Sequence, residues 1–195
     1  TTHELNTPIS AILMSTETTN LNEKQIQRIR LSAKRISEIY EDLTYVFLQN
    51  KQNKNTLEIV DLKNLIIEQL EYFTPLASKK SIDIKLQLEQ FEYKINKDDF
   101  IRLFNNLISN AIKYNKIAGT IEITLKNNEL IIKDTGIGIS KDKLKDIYKR
   151  YYRATNEQGG FGIGLSIVNQ ICNNYNIKIE VNSQLKQGTI FTLKF

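Results

Sequence analysis

The chain has 195 residues, a single histidine, a single cysteine and a net charge of +5. The lone Cys172 excludes an internal disulfide and a cysteine metal cluster, and the lone histidine excludes a histidine-rich metal site. With 41% hydrophobic and 25% charged residues the composition suits a packed core and excludes general disorder. A positive balance can serve nucleic acid or an anionic membrane, but the basic residues are scattered and form no compact run. They read as a solvated lysine-rich surface, with no nucleic-acid partner expected. No stretch approaches the ~20 apolar residues of a membrane span, and no signal peptide is visible. The chain begins with Thr1 rather than Met, so it is expected to be a fragment whose missing part lies upstream.

Residues 1–19 read as a helix with Leu5, Ile9, Ile12 and Leu13 on one face. Pro8 predicts a kink just after His3. Asn20, Leu21 and Asn22 read as a turn, and Glu23 helps to open the next helix. From Ile26 the series Ile29, Ala33, Ile36, Tyr40, Leu43 and Phe47 steps by three and four, an a/d seam. Two such helices make a hairpin too thin to stand alone. Pairing with a second copy gives a dimeric four-helix bundle; the alternative is a hairpin packed on the rest of its own chain. Lys51 to Asn55 reads as a linker, dividing a hairpin domain at 1–52 from a second domain at 53–195.

Thr56 to Val60 reads as a short strand, and Asp61 as the cap of a helix to about Ser78, with Pro75 ending it early. Ile82, Ile84, Leu86 and Leu88 alternate as a half-buried strand, and Phe91 to Ile95 gives a shorter one. A helix from Lys97 to Tyr114 turns Phe100, Leu103, Phe104, Leu107, Ile108 and Ala111 inward. Ile121 to Leu125 and Leu130 to Lys133 form a hairpin turned at Asn127-Asn128. Lys141 to Lys149 reads as a short helix and Gly162 to Tyr175 as a longer one. Ile177 to Val181 and Thr189 to Phe195 close the chain as strands about a turn at Lys186-Gln187-Gly188. Strands and helices do not alternate regularly. The second domain is therefore expected to be an α/β sandwich with a mixed sheet rather than a doubly wound fold.

Three stretches carry chemistry. Asp134-Thr135-Gly136-Ile137-Gly138-Ile139 follows the apolar run Leu130 to Ile132. Such a turn lets a flat ligand approach the backbone, and Asp134 can accept from an exocyclic amine such as that of adenine. Asp-x-Gly is also an ordinary turn. Gly159-Gly160-Phe161-Gly162-Ile163-Gly164-Leu165 leads straight into an amphipathic helix, whose start presents free N–H groups and a positive dipole end to phosphate. Asn106 and Asn110 share one helix face. Their amides can offer oxygen to a hard cation, with Lys113 as a point charge for phosphate, or be no more than exposed helix polarity. The Walker A loop is absent.

Asn-x-x-x-Asn, Asp-x-Gly-x-Gly and Gly-x-Gly-x-Gly-Leu in this order resemble the ATP-binding domain of sensor histidine kinases, of the Bergerat-type fold shared with gyrase and chaperone ATPases. His3-Glu4-Leu5-Asn6-Thr7-Pro8 resembles the phosphoacceptor motif of the same kinases. The resemblance covers nearly the whole chain. It implies ATP and Mg²⁺ as cofactors, and nucleotide contacts at Asn106, Asn110, Lys113, Tyr114, Asp134, Gly136, Gly138, Ile139, Gly160, Gly162, Gly164 and Leu165, with Asn110 holding the metal. Tyr148 to Arg153 resembles the family's aromatic–basic box with tyrosines for phenylalanines. Arg150 or Arg153 would reach phosphate, and the alternative is a surface basic loop. Ala154 to Gly160 looks like a lid, and Phe161 is bulkier than expected there.

The resemblance implies autophosphorylation of His3, with Glu4 accepting the proton of the opposite ring nitrogen. Transfer to an aspartate of a response regulator receiver domain follows, and Thr7 positions water for the regulator's dephosphorylation. It also implies a homodimer, and the cytoplasmic portion of a membrane-anchored bacterial protein, touching the membrane only through an upstream segment. Two other classes remain open here. One is a non-catalytic ATP-binding scaffold, and the other a gyrase- or chaperone-like ATPase, which would have no use for the histidine hairpin.

Overall fold

The computed structural model describes residues 2–16, 21–30, 32–33, 36, 40, 56–152 and 162–195, with side chains from residue 9 onward. Helix α1 spans Thr2–Thr16 and runs through Pro8. Residues 23–30 are helical again. Asn22 and Gln25 start this stretch as a reciprocal capping pair, each side-chain oxygen accepting the other's backbone N–H at 2.9 Å. The sequence assigned that opening role to Glu23. Of the heptad seam, Ile26 and Tyr40 are exposed in the single chain and Ile29 and Ile36 are half-buried. Leu43, Phe47 and the expected linker at 51–55 lie outside the described residues.

From residue 58 the elements run β1 (Glu58–Asp61), α2 (Leu62–Ser78), β2 (Asp83–Leu88), β3 (Glu92–Ile95), α3 (Lys97–Lys113), β4 (Thr120–Lys126), β5 (Glu129–Asp134), α4 (Lys141–Leu144), α5 (Gly164–Asn174), β6 (Lys178–Gln184) and β7 (Gly188–Lys194). β1 and β3 form a small antiparallel ribbon, and five strands form a sheet in the order β2-β4-β5-β7-β6. β2 runs parallel to β4 and the other neighbours are antiparallel, so the sheet is mixed. This is the α/β sandwich that the sequence pattern implies.

The core lies between the helices and one face of the sheet. Ile121, Ile123, Leu125, Leu130, Ile132, Phe191 and Leu193 alternate inward from β4, β5 and β7. Against them α3 sets Phe100, Leu103, Phe104, Leu107 and Ile108, each at most 1% exposed. Burying one such side chain contributes about 1.5–3 kcal/mol. Ile167, Val168, Ile171 and Cys172 of α5 join the same core, and burial pushes the Cys172 thiol up to about 12, so it behaves as a small apolar residue. The opposite sheet face carries Glu122–Lys133 and Glu180–Lys194 ion pairs at 3.0 and 3.1 Å. Half-exposed pairs of this kind add solubility more than stability.

Both long helices start as their caps dictate. Asp61 Oδ1 accepts from Asn64 N at 3.1 Å, and Asn96 Oδ1 accepts from Asp99 N at 3.1 Å. Helix α2 continues through Pro75 to Ser78, beyond the early end its proline suggests. The cost is one lost bond to the Glu71 carbonyl, which burial of Phe73 and Ala77 on the core side offsets. The expected helix over 141–149 stops at Leu144. There the backbone changes to tighter bonds, Asp146 N to Lys143 O and Lys149 N to Asp146 O. This winding drops Ile147 into the core with Tyr148 against it. Leu86 is 49% exposed because β2 is an edge strand.

Asn127 and Asn128 both have positive φ, 52° and 60°, the geometry of a two-residue hairpin turn. This turn sets the β4–β5 register that places Asp134 opposite Ile121. Replacing Asn128 with Gly, which has no Cβ to strain, is expected to raise the melting temperature, and Asn128→Val is expected to destabilise by about 1–2 kcal/mol. Thermal denaturation of the two variants checks this.

Candidate functional site

Strand β5 ends in Asp134, which is 8% exposed. Its Oδ1 accepts from Gly136 N at 2.8 Å and from Thr189 N at 3.3 Å. Burial pushes the Asp134 carboxyl above the usual carboxylate range, and the two N–H donors partly oppose that rise. Among the described residues Oδ2 accepts no hydrogen bond, which leaves one oxygen to receive a donor from a ligand.

The loop after Asp134 is held by close backbone approaches. A Cβ on Gly136 would fall on the Tyr114 carbonyl oxygen, and the next residue, Ile137, donates its N–H to that same oxygen at 3.0 Å. Gly138 has φ +66° and lies against the Gln184 carbonyl. Ile139 N donates to Ser183 Oγ at 2.8 Å, and the Ile139 side chain packs on the core. Asp134 and its glycines are thus clamped between the end of α3 and the β6–β7 turn.

Helix α3 brings the amide residues to the same place. Tyr114 caps its C-terminus, its N–H reaching the Asn110 carbonyl at 2.9 Å. The Lys113 ammonium lies 4.8 Å from the centre of the Tyr114 ring. Two turns back, Asn106 Nδ2 donates to Arg102 O at 2.8 Å, and its Oδ1 lies where a Cβ on Gly164 would be. The start of α5 therefore sits directly on Asn106. Leu165 is half-buried and packs on the core. Asn110 is half-buried, and among the described residues its side-chain amide makes no hydrogen bond. A neutral amide oxygen of this kind fits Mg²⁺, which takes one or two protein oxygens and keeps the rest of its shell for water and phosphate.

Before α5 the chain is pinched. Tyr151 N donates to Gly162 O at 2.9 Å, and Gly162, at φ +67°, lies against the Tyr152 carbonyl. Arg150 is exposed in the turns after α4. Arg153, Gly160, Phe161, the expected lid at 154–160 and the side chains of His3, Glu4 and Thr7 lie outside the described residues. Among the described residues the buried Tyr148 hydroxyl has no hydrogen-bond partner, and burial pushes it up to about 12.

Of the residues singled out from sequence, the structure gathers Asn106, Asn110, Lys113, Tyr114, Asp134, Gly136, Gly138, Ile139, Gly164 and Leu165 around the ends of α3 and β5 and the start of α5. Sequence reasoning missed their supports. Thr189 and Ser183 hold the Asp134 loop from β6 and β7, and Ser183 Oγ also lies 2.9 Å from Gly188 O. Thr135 Oγ1 accepts from Thr120 N at 2.8 Å and lies 3.2 Å from the buried Asn115 Oδ1. Gly188 read only as a turn glycine; at φ +115° a Cβ there would fall on the Asp134 carbonyl. Each depends on a neighbour far along the chain. The one signal in the sequence was the glycine at a strand start. Gly188→Ala is expected to destabilise by about 1–3 kcal/mol through backbone strain. It also shifts Asp134, which backbone amide chemical shifts at Gly136 and Thr189 would report beside a denaturation curve.

The chain matches the family model of the His Kinase A (phospho-acceptor) domain over residues 1–50 and that of the histidine kinase-, DNA gyrase B- and HSP90-like ATPase over residues 95–195. It is 29% identical over 213 aligned positions to the sensor histidine kinase RppB of Synechocystis, covering 98% of this chain and 46% of RppB. The chain thus spans about half the length of that relative. In fold it is similar to the Acinetobacter baumannii histidine kinase AdeS, with TM-score 0.76, 23% identity, and 98% and 95% of the two chains covered. It is similar also to the histidine kinase ThkA in a crystal structure with the response regulator protein TrrA, with TM-score 0.70, 20% identity, and 98% and 58% covered. On these matches and the site geometry together, the chain belongs to the sensor histidine kinases of two-component signal transduction.

Proposed function

We propose that this chain binds ATP between the ends of β5 and α3 and the start of α5, and moves its γ-phosphoryl group to His3. One observation carries the reading: among the described residues Asp134 Oδ2 accepts no hydrogen bond while Oδ1 is fixed by Gly136 and Thr189, and the Asn110 side-chain amide is likewise without a partner among them. Asp134 Oδ2 accepts from the adenine amine, and Gly136 and Gly138 let the purine lie against the backbone. Ile139 and Leu165 supply apolar wall. Lys113, with Arg150 or Arg153, attracts the phosphates. Magnesium held by Asn110 would offset phosphate charge as it develops.

In the transfer, a neutral ring nitrogen of His3 forms a bond to the γ-phosphorus. The bond from that phosphorus to the β–γ bridging oxygen breaks, and ADP leaves. Glu4 takes the proton on the opposite ring nitrogen, which removes the positive charge the ring would otherwise carry. The phosphoryl group then passes to an aspartate of a response regulator receiver domain, with Thr7 positioning water for later dephosphorylation of that regulator. The ThkA–TrrA complex supports this partner class.

The division falls at 1–52 and 53–195. The hairpin pairs with a second copy, a reading supported by Leu13, Met14, Ile26 and Tyr40, which are exposed in the single chain. Among the described residues no helix is long and apolar enough to cross a membrane, so membrane anchoring would come through an upstream segment of a cytoplasmic portion.

Incubation with γ-labelled ATP and Mg²⁺ is expected to give acid-labile, alkali-stable label that disappears in His3→Gln; label persisting in that variant ends the proposal. Nucleotide affinity also carries a pH signature. Because burial raises the Asp134 pKa, the carboxylate neutralises as pH falls through a value above that of an ordinary aspartate, and affinity falls with it. Asp134→Asn is expected to bind weakly and to lose that pH step, as calorimetry across acidic pH would show.

A further inference from the structure

The last carbonyls of a helix have no partners within it. At the end of α3 two of them are taken by one distant side chain. Lys80 Nζ donates to Ile112 O at 3.0 Å and to Lys113 O at 2.7 Å. Lys80 lies in the turn between α2 and β2, and its own carbonyl accepts from Ala118 N at 2.9 Å. It therefore holds both the helix end and the loop that follows Tyr114. The next carbonyl along, Tyr114 O, receives Ile137 N from the Asp134 loop. Residues 112, 113 and 114 thus offer three consecutive oxygens, two fixed by an ammonium and one supporting the purine side of the site.

The electrostatics suit this arrangement. A lysine ammonium is a compact cation, and a helix C-terminus is the negative end of the macrodipole. The mechanics suit it too. Gly136 already touches the Tyr114 carbonyl, so there is no slack: any shift of the α3 end moves the Asp134 loop or breaks its bond to Ile137. The same shift moves Asn110, whose carbonyl bonds the Tyr114 N–H.

We propose that Lys80 is a positioning residue for nucleotide recognition, its ammonium clamping the end of α3 so that the Asp134 loop and Asn110 keep their separation. It touches no nucleotide; it acts through Tyr114. This rests on the nucleotide site proposed above. The effect must therefore fall on the purine end as well as the phosphates, whereas a lysine that bound phosphate directly would leave adenosine untouched.

The test measures binding of ATP, ADP and adenosine by calorimetry, together with autophosphorylation kinetics and melting temperature, for the whole chain and for Lys80→Met and Lys80→Arg. Lys80→Met is expected to weaken adenosine and ATP alike, by about two- to fivefold given the usual worth of a cation at a helix C-terminus. KM for ATP rises by more than kcat falls, and Lys80→Arg, which keeps the charge and the donors, recovers most of both losses. Should Lys80→Met fail to fold, Lys80→Gln carries the same comparison, since its amide still donates one hydrogen bond without charge. Unchanged affinity, a loss confined to ATP and ADP, or a lower melting temperature with binding intact overturns the inference while leaving the site standing. Wild-type protein that binds no ATP overturns the site and this inference with it.

Discussion

A carboxylate taken out of water has to be hydrogen-bonded or neutralised. Asp134 meets that demand unevenly: Gly136 N and Thr189 N both reach Oδ1, and among the described residues Oδ2 accepts no hydrogen bond. The two donors come from very different distances along the chain, one two residues on and one from β7. The carboxylate is therefore a tie between the Asp134 loop and the far strand as much as a group for ligand recognition. Its orientation is fixed before anything binds, which is the kind of preorganisation that recognition of a flat donor requires.

The glycines around it look different in three dimensions from their appearance as motifs. A Gly-rich turn is commonly read as room for a ligand. Here Gly136 makes room for the Tyr114 carbonyl, Gly138 for Gln184, Gly162 for Tyr152 and Gly164 for Asn106. Each lets this chain approach itself, and the ligand-facing surface is what remains once those approaches are made. The spacing of the three motifs along the sequence follows from this. The asparagine helix is the bench, and the two glycine segments rest on its C-terminal end at Tyr114 and on its middle at Asn106.

Stability is distributed accordingly. The deep core is formed by Phe100, Phe104 and the inward residues of β4 and β5, while Tyr114, Asp134 and Gly164 occupy the ends of elements. Strand ends and helix ends carry unsatisfied backbone groups, so they can be linked to one another by single hydrogen bonds and displaced without unpacking the core. That separation lets the sheet carry the site on its rim, held by backbone hydrogen bonds more than by core packing.

Much of this was open to reading from residues alone. Period-two alternation in Ile121 to Leu125 and Leu130 to Ile132, the 3.6-residue pattern of α3, the cap Asp61 and the Asn127-Asn128 turn are local, because each is set by interactions within a few positions. The order of the asparagine and glycine motifs was likewise legible, and with it the family and a set of candidate site residues. The helix end at Leu144, the persistence of α2 through Pro75 and the pairing of β2 parallel to β4 were not, since long-range burial decided each against local preference. The same holds for the supports of the site. Thr189 on Asp134, Ser183 on Ile139 and Lys80 on the end of α3 join positions 33 to 55 residues apart. A one-dimensional pattern records which residues can donate and accept. Only the packed sheet and helices determine which donor meets which acceptor, because that choice depends on distances the chain acquires when it folds.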